Sequence, residues 1–312
     1  MRNKWPPKFT CGSCPMSEST KCGYIAILGK PNVGKSTCLN HILGQKVSIT
    51  SRKPQTTRQQ ILGVKTNDHA QAIYVDTPGI HSNNKNALNR YMNRAATSVI
   101  DGVDIIVFMV VAGKWAEQDD WILEKLKEAT CPIVLAINKI DRFKDKGKLL
   151  PLIKEYSQKH NFSEVIPISA KSSDSTQQLE AIIEKKLPDG IQQFPDDQIT
   201  DRSQRFLAAE IVREKIMRQT GDELPYSIAL EVEEFKEKKA IVHIGILILV
   251  DKRSQKSIII GKEGSRLKEV GRQARLDLEN MLDSKVFLRL WVKVREGWAD
   301  DERALNSLGY KE

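Results

Sequence analysis

A nine-residue stretch near the start of the chain carries the pattern Gly-x-x-x-x-Gly-Lys-Ser, which binds nucleotide phosphates. It lies between an apolar run, Tyr24 to Leu28, and a segment with the apolar spacing of a helix. In this context backbone amides converge on phosphate oxygens at the positive end of a helix, a lysine adds charge, and a serine hydroxyl can bind Mg²⁺. The predicted phosphate loop is Gly29, Lys30, Pro31, Asn32, Val33, Gly34, Lys35, Ser36 and Thr37.

A second motif, Asp76-Thr77-Pro78-Gly79, follows an apolar run that predicts a buried strand, Ala70–Val75. An aspartate at the carboxyl end of a strand beside a phosphate loop is placed to hold Mg²⁺, usually through water. The glycine leaves room for its N–H to approach the terminal phosphate of a nucleotide. The two motifs together predict a site for a magnesium nucleotide.

A third motif, Asn138-Lys139-Ile140-Asp141, has the residues needed to choose a base. A carboxylate accepts two hydrogen bonds from the ring N–H and amino group of guanine, whereas adenine has no such donors there. At about 1.5–3 kcal/mol for each charge-assisted bond, losing both lowers affinity by roughly two to four orders of magnitude. The stem of Lys139 can cover the base, and the turn formed by Ser169, Ala170 and Lys171 can donate a backbone N–H to the guanine carbonyl. We therefore predict that the nucleotide is GTP or GDP.

These motifs require a common sheet edge, which the chain supplies by alternating strands and helices. The predicted strands are 24–28, Gln60–Lys65, Ala70–Val75, Asp104–Val111, Pro132–Ile137 and Val165–Ile168. The predicted helices are 38–43, Ala87–Ile100, Glu117–Ala129, Lys148–Lys159 and Gln177–Leu187. Continuous apolar strands are typical of parallel sheets buried on both faces. The fold class predicted is α/β, a doubly wound and mostly parallel sheet with ligands beyond the carboxyl ends of its strands.

The composition favours two domains and an anionic partner. The chain has 312 residues, five cysteines without disulfide-like spacing and a formal net charge of +9. It has no charged-then-apolar leader and no apolar run near the length of about eighteen residues that spans a membrane. Residues 1–187 hold 27 basic against 17 acidic side chains. These features predict a protein of a reducing compartment, and the expected location is the cytoplasm.

The first 21 residues are polar and carry prolines, so we expect a disordered extension. Cys11, Cys14 and Cys22 offer three thiols without a nearby histidine, one ligand short of a structural zinc site. Metal binding is therefore the alternative to a disordered tail. Met16 opens a short polar lead into the first strand and is a second candidate for the natural start.

A change of pattern after residues 188–201, which hold prolines and aspartates, indicates a linker and a second domain. We predict a helix at Arg202–Arg218, two strands joined by a charged segment, a helix ending near Leu282 and a last strand. The strands are Ser227–Glu234, Ala240–Val250 and Val286–Val294, and the charged segment is Phe235–Lys239. Gly-x-x-Gly between an apolar segment and a helix is the signature of a KH domain, in which the tight loop joins two helices. The predicted order is therefore helix-strand-strand-helix-helix-strand, the type II arrangement.

The predicted RNA site surrounds the Gly-x-x-Gly loop. Lys252 to Arg275 holds eight basic and two acidic residues, which attract phosphates. Apolar groove residues such as Ile259 and Leu267 can receive unstacked bases. Glu263 stands where relatives of this type have a basic residue, and Arg266 and Lys268 compensate. The predicted RNA-binding residues are Ile259, Ile260, Gly261, Lys262, Glu263, Gly264, Arg266, Leu267 and Lys268.

With these motifs the chain resembles GTPases of the translation-factor-related class and, more narrowly, the Era family of bacterial ribosome-assembly GTPases. The resemblance covers about residues 22–310 and includes the phosphate loop, the basic segment 49–58, Asp76–Ile80 and residues 297–305. It implies a P-loop GTPase domain followed by a smaller α+β KH domain. It also implies GTP hydrolysis, binding of the 3′ region of 16S ribosomal RNA, and action as a nucleotide-switched chaperone in 30S subunit assembly.

The resemblance also assigns roles to residues. In the basic and polar stretch 46–58, which we expect to be a mobile surface loop, Thr57 closes on Mg²⁺, although the hydroxyl of Thr56 could also reach. Ile80 stands where better-known regulatory GTPases have a water-orienting glutamine. Because isoleucine cannot position water, the resemblance implies slow hydrolysis that is accelerated by the target. Relatives with a hydrophobic residue there and an asparagine like Asn32 place K⁺ against the phosphates in part compensation. The implied catalytic residues are Lys35, Thr57 and Gly79, and the implied Mg²⁺ ligands are Ser36, Thr57 and Asp76.

The expected organisation is an extension (1–21), a GTP-binding domain (22–187), a linker (188–201), a KH domain (202–296) and a tail (297–312). The resemblance implies a monomer in the cytoplasm, and peripheral association with the inner face of the cell membrane is reported for relatives. The alternatives are a GTPase that acts on another structured RNA, such as tRNA, and a nucleotide-independent RNA-binding protein. A phosphotransferase is disfavoured because the chain offers no acid–base pair for an acceptor.

Overall fold

The computed structural model describes residues 20–51, 53, 56–79, 87–143, 146–220, 228–238 and 240–308. These residues form two compact units. The expectations for Cys11, Cys14, Met16 and Ile80 fall outside the described residues. None of the helices in the described ranges combines the length and apolar content needed to cross a membrane.

The first unit is built on a six-stranded sheet in the order β2-β3-β1-β4-β5-β6. Only β2 is antiparallel to its neighbour in this sheet. The strands are β1 (Lys21–Leu28), β2 (Ile61–Thr66), β3 (Ala70–Asp76), β4 (Ile105–Val111), β5 (Ile133–Asn138) and β6 (Glu164–Pro167). The predicted α/β fold with a mostly parallel sheet is confirmed.

Helices cover both faces of this sheet, which explains its uninterrupted apolar strands. In β1, Tyr24 and Ala26 belong to one apolar cluster, while Ile25 and Ile27 belong to another. The first cluster includes side chains of α2, α3 and α4, and the second includes side chains of α1 and α5. The helices are α1 (Lys35–Leu43), α2 (Ala87–Thr97), α3 (Glu117–Leu126), α4 (Leu149–Ser157) and α5 (Ser173–Lys186).

The prediction of a surface loop over residues 46–58 is wrong at both ends of the stretch. Val47, Ser48, Thr57 and Arg58 are all buried. The amide of Asn40 in α1 holds the first end, since its Oδ1 accepts from the backbone N–H of Val47 and Ser48 and its Nδ2 donates to the Ser48 carbonyl. This burial could not be predicted from the sequence, because the stretch is polar and has no hydrophobic periodicity. Its polar groups are buried because they form hydrogen bonds with other groups of the protein.

The second unit has a three-stranded sheet in the order β7-β8-β9, with β7 antiparallel and β9 parallel to the central β8. Its elements are α6 (Gln204–Gln219), β7 (Ile228–Lys238), β8 (Ile241–Val250), α7 (Arg253–Ile260), α8 (Ser265–Leu282), β9 (Lys285–Val294) and α9 (Glu302–Ser307). The order from α6 to β9 is the one predicted for a type II KH domain.

Two expectations for this unit need correction. The charged stretch from Phe235 is part of β7 as far as Lys238, because a bulge between Val232 and Glu234 keeps its apolar side chains directed toward the core. The tail after residue 296 contains α9, and Trp298 within it is fully buried. One buried tryptophan thus anchors a segment whose charged composition predicts no element.

Candidate nucleotide site and nucleic-acid interface

The phosphate loop runs from the end of β1 into α1 and has the strained backbone that such a loop requires. Gly29, Asn32 and Gly34 all have positive φ, at 151°, 62° and 115°. A β-carbon at Gly34 would lie 2.3 Å from Nδ2 of Asn138 and one at Gly29 would lie 2.4 Å from the Met109 carbonyl, so both glycines are required. The loop therefore bends tightly and leads directly into the positive end of α1.

Lys35 is the first residue of α1 and is buried. Its Nζ donates to the carbonyls of Gly29 at 3.0 Å and Lys30 at 3.2 Å, which hold the ammonium inside the loop. Burial lowers the pKa of Lys35 to about 8, partly opposed by the negative charge of Asp76. A buried ammonium of this kind is poised for an anionic ligand, because phosphate oxygens favour its charged form.

Lys30 does not direct its side chain to the loop interior. Its Nζ pairs with Asp119 Oδ2 at 2.5 Å and donates to the Lys114 carbonyl at 2.7 Å. Asp119 also accepts from the Ala116 N–H at the start of α3, and burial raises its pKa despite Lys30. Lys30 therefore reaches a phosphate only through its backbone, while its side chain fixes the loop to α3.

Three hydroxyl groups converge on Asp76 at the end of β3. Its Oδ2 accepts from Ser36 at 2.8 Å, Ser48 at 2.7 Å and Thr57 at 3.3 Å, and the Ser36 and Thr57 hydroxyls lie 2.9 Å apart. Burial raises the pKa of Asp76, opposed first by Lys35 and then by these hydroxyls. Thr56, the other candidate ligand, instead contacts Ser51 and the Lys53 carbonyl. The geometry thus places Thr57 at the carboxylate.

This cluster fits a hard divalent cation. Asp76 Oδ1 is buried and has no hydrogen-bond partner within the described ranges of the chain. An orphaned carboxylate oxygen beside the Ser36 and Thr57 hydroxyls is the all-oxygen donor set that Mg²⁺ takes in proteins. Ser48 was not predicted, because an isolated serine in a polar loop gives no sequence signal.

The Asp76 motif lies directly against the phosphate loop. The Thr77 hydroxyl donates to the Ile27 carbonyl at 3.1 Å and so ties the motif to the neighbouring strand β1. A β-carbon at Gly79 would lie 2.9 to 3.0 Å from Cγ, Cα and N of Pro31. Any larger residue at position 79 would therefore displace the loop that it faces.

Asn138 joins three of the predicted motifs, a role the sequence did not reveal. Its Nδ2 donates to the Val33 carbonyl at 2.7 Å, and its Oδ1 accepts from the N–H groups of Lys139 at 2.7 Å and Ala170 at 2.9 Å. The side chain is 1% exposed. Asn138 is therefore a clamp between the phosphate loop and the base-reading turns and does not present itself to a ligand.

Asp141 and Lys139 stand where the predicted base would lie. The Ser169 hydroxyl donates to Asp141 Oδ1 at 2.9 Å, which orients the carboxylate. Lys139 has φ of 67°, and its Nζ donates to the Asn32 carbonyl across the phosphate loop. Burial lowers the pKa of Lys139, with further lowering by the nearby Arg142 charge. A fixed carboxylate beside a lysine stem matches the guanine-reading arrangement.

The Gly-x-x-Gly loop joins α7 to α8 in the second unit, within a short 3₁₀ turn. Gly261, Glu263 and Gly264 all have positive φ, and among the described residues beyond its two chain neighbours no atom lies within 4 Å of a β-carbon built on Gly264. The Lys262, Glu263 and Lys268 side chains are exposed. This open, strained turn leaves its backbone accessible to a phosphodiester, as a KH loop requires.

Two side chains that were predicted to contact RNA lie in environments that differ from those expected. Ile259 is 1% exposed and packs in the core with Val270 of α8, so its side chain cannot receive a base. On the same helix Ile258 is 43% exposed and takes over the apolar position. The Arg266 guanidinium donates to the Ile258 carbonyl and caps α7. The register of the triple isoleucine within α7 could not be read from the sequence, since all three residues are equally apolar.

Comparisons with known protein families agree with this geometry. Residues 24–139 match the model of the family described as 50S ribosome-binding GTPase, and residues 223–299 match the KH domain. GTPase Era of Marinobacter nauticus is 56% identical over 295 residues, covering 95% of this chain and 97% of the relative. GTPase Era of Pseudomonas aeruginosa is 55% identical over 291 residues, covering 93% of this chain and 95% of the relative.

Two solved structures are similar along nearly the whole chain. One is a crystal structure of Era in complex with MgGDPNP and nucleotides 1506–1542 of 16S ribosomal RNA, with a TM-score of 0.91 and 44% identity. The other is a variant of Aquifex aeolicus Era bound to GDP and AlF4−, with a TM-score of 0.90 and 44% identity. Each covers 94% of this chain and is itself covered in full. Since relatives more than half identical span almost the entire sequence, this chain belongs to the GTPase Era family and hydrolyses GTP.

Proposed function

We propose that this GTPase binds the 3′ region of 16S ribosomal RNA and acts as a GTP-switched chaperone in assembly of the 30S subunit. The observation that carries the proposal is the presence, on one chain, of a hydroxyl and carboxylate cluster beside a phosphate loop and an open Gly-x-x-Gly turn. The similar Era structure with MgGDPNP and 16S RNA supports the same pairing of ligands.

We assign the hydrolytic roles as follows. The loop backbone and Lys35 hold the phosphates, and the Gly79 N–H meets the terminal phosphate. Ser36, Thr57 and Asp76 are the residues that would hold Mg²⁺. When bound, the ion neutralises charge that develops on the phosphate oxygens. Thr57 and Gly79 would close around the Mg²⁺ and the terminal phosphate, so the segment of Thr57 is the element expected to respond when hydrolysis releases that phosphate.

We assign guanine recognition to Asp141, with Lys139 over the base and the Ala170 and Lys171 turn at its carbonyl. The hydrogen bond from Ser169 fixes the carboxylate in advance, so little ordering is needed when the base arrives. Asn138 serves the same end indirectly, by holding the turns together.

A potassium ion is a further proposed cofactor. Asn32 adopts a left-handed backbone next to the phosphate loop, and its carbonyl already attracts the Lys139 ammonium. The side-chain oxygen of the same residue is the ligand that we propose for K⁺ beside the phosphates. The ion would supply further positive charge beside the phosphates.

The decisive experiment measures RNA affinity in both nucleotide states. Fluorescence anisotropy with an RNA of 16S nucleotides 1506–1542 should give tighter binding with a GTP analogue than with GDP, at fixed salt. By reciprocity the RNA must raise affinity for the analogue by the same factor. Equal RNA affinity in both states would leave two independent binding domains and refute the switch.

Gly264→Asp provides the matching variant. It places a carboxylate and a β-carbon where a phosphate approaches, in a conformation that side chains rarely adopt. RNA affinity should fall while GTP affinity is unchanged. Gly44→Asp is the control, since it makes the same change at another glycine of positive φ that lies in the first unit; full RNA binding by Gly264→Asp would contradict the assigned interface.

The proposed organisation assigns GTP to residues 22–187 and RNA to residues 202–296, joined by the linker 188–201 in a monomeric protein. The proposed location is the cytoplasm, with peripheral association at the inner face of the membrane as a second site. Cosedimentation with anionic lipid vesicles tests the latter, and sedimentation velocity tests the monomer. Recovery with 30S particles from a cell extract tests the subunit partner.

A further inference from the structure

The sheet of the second unit has one face covered by helices and a second face, here called the outer sheet face. Along β9, Val286, Leu288, Leu290 and Val292 belong to or pack on the core with α6, α7 and α8. The alternate residues therefore point to the outer face. They are Lys285, Phe287, Arg289, Trp291 and Lys293.

This edge strand thus presents a strict alternation of basic and aromatic side chains. Phe287 is 54% exposed, the highest fraction among the large apolar side chains of the described part of the second unit. Its ring lies 5.3 Å from that of His243 on β8, and the Arg289 guanidinium lies 5.7 Å from the centre of the Trp291 ring. Two aromatic platforms therefore stand beside cationic groups.

The strand pairing gathers further basic residues at the Phe287 end of the face. Lys236 of β7 and His243 of β8 are in register with Phe287, and Lys238 and Ile241 are in register with Lys285. Ile241 is itself 43% exposed. The patch so formed is Lys236, Lys238, Ile241, His243, Lys285 and Phe287.

Trp291, at the other end, packs over a glycine of the neighbouring strand. A β-carbon at Gly245 in the middle of β8 would come within 3.1 Å of the Trp291 ring. Arg289 lies between Phe287 and Trp291 on β9, and its guanidinium also pairs with Glu234 of β7 at 3.3 Å. Among the described residues, Glu234 lies in the same row as Arg289, and the charged side chains directed to the outer face at the rows of Phe287 and Lys285 are Lys236, Lys238 and Lys285. Glu237, between the two lysines of β7, is in register with Val242 and Val286, which face the core.

Protection of the sheet edge does not explain this pattern. Lysines on edge strands discourage pairing with other chains, and the three basic residues of β9 serve that purpose. An aromatic ring that is half exposed between them has the opposite effect, because exposed apolar edges promote association. Aromatic rings beside cations on a sheet surface are instead the means by which proteins stack unpaired bases and attract their phosphates.

We propose that the outer sheet face is a second contact surface for single-stranded RNA, with Phe287 as its stacking platform. The inference rests on the proposed function and extends it. A Gly-x-x-Gly loop holds about four nucleotides, whereas the RNA in the similar Era complex is far longer. β9 is an edge strand of the sheet. The two helices that flank the Gly-x-x-Gly loop, α7 and α8, both pack against β9. RNA that leaves the loop therefore reaches the outer face by passing around a single edge.

The test compares variants in binding the RNA of 16S nucleotides 1506–1542. Phe287→Ala should weaken binding about 5- to 100-fold, the loss expected for one stacked base. Phe287→Leu, which keeps the apolar bulk, should weaken it as well, and Phe287→Tyr should restore it. Lys285→Gln should lower the slope of log affinity against log salt by about 1.

Trp121→Ala is the matched control, because Trp121 is also an exposed aromatic residue, 39% exposed with Lys125 over its ring, but lies in the first unit. It should bind RNA like the wild type. The inference about the outer sheet face would be overturned, and the proposed function left standing, by the following result. Phe287→Ala binds RNA with wild-type affinity and Lys285→Gln has an unchanged salt slope, while Gly264→Asp is impaired. A wild-type protein that fails to bind the RNA would overturn the proposed function as well.

Discussion

GTP binding should draw a proton onto Lys35 when the protein is kept at alkaline pH. Burial lowers the pKa of this ammonium to about 8 from its ordinary 10.5, with Asp76 opposing the change. Phosphate oxygens around the lysine favour its charged form and should return the pKa at least to the ordinary value. Nucleotide-free and nucleotide-bound protein therefore differ in protonation between the two pKa values.

The size of the effect follows from this difference. At pH 9 a group with a pKa of about 8 is roughly one-tenth protonated, and one with the ordinary pKa is almost fully protonated. Binding should thus take up about 0.9 proton per nucleotide at pH 9 and only about 0.1 at pH 7. The dissociation constant should rise nearly tenfold per pH unit from about pH 8 to 10.5, a total loss of about 3.4 kcal/mol.

Isothermal titration calorimetry with a non-hydrolysable GTP analogue, in two buffers of different ionisation enthalpy, measures the protons directly. Guanosine, which lacks phosphates, should cause no uptake. Lys139 is another amine whose pKa is lowered by burial, so it could also take up a proton. Lys139→Gln removes this contribution, and the proton uptake assigned to Lys35 should persist in that variant. An uptake below about 0.2 proton at pH 9 in the wild type would refute the assignment to Lys35.

Further predictions concern the base, the ion and the amino terminus. Asp141→Asn should weaken GTP binding about a hundredfold and admit xanthosine triphosphate, because the amide supplies a donor to the second xanthine carbonyl; nucleotide titrations that retain the wild-type preference would contradict the role of Asp141. Replacing K⁺ by Na⁺ at equal ionic strength should slow GTP hydrolysis, and Asn32→Ala should abolish the difference; equal rates in both salts for the wild type would exclude the ion. A chain starting at Met16 should match the full chain in thermal melting and hydrolysis rate, whereas zinc in the purified full-length protein, or a lower melting temperature on truncation, would show that the extension is structural.

The sequence predicted the sheet, its motifs and their common edge because those features depend on short-range pattern. A strand buried on both faces must be apolar throughout, and a loop that holds phosphates must contain glycines at fixed spacing. Such constraints act on consecutive residues. Asp76, Asp141 and the Gly-x-x-Gly turn were found for this reason.

The remaining features depend on contacts between distant residues. Nothing near Lys30 in the sequence indicates that its side chain pairs with Asp119. Ser48 lies in a stretch without period, yet its hydroxyl contacts Asp76. Ile259 lies in the core while its neighbour Ile258 is exposed, and an unbroken apolar run does not reveal which residue of a helix faces the core.

The contact between Gly34 and Asn138 has an evolutionary consequence. Any side chain at position 34 would require a smaller residue at position 138, and that change would release both the Val33 carbonyl and the Ala170 N–H from their common partner. Neither motif can therefore drift alone, and the phosphate loop and the base-reading turn must be inherited together. A chimaera that takes one of them from a distant GTPase would inherit a mismatch at this contact, whereas exchange of both together would preserve it.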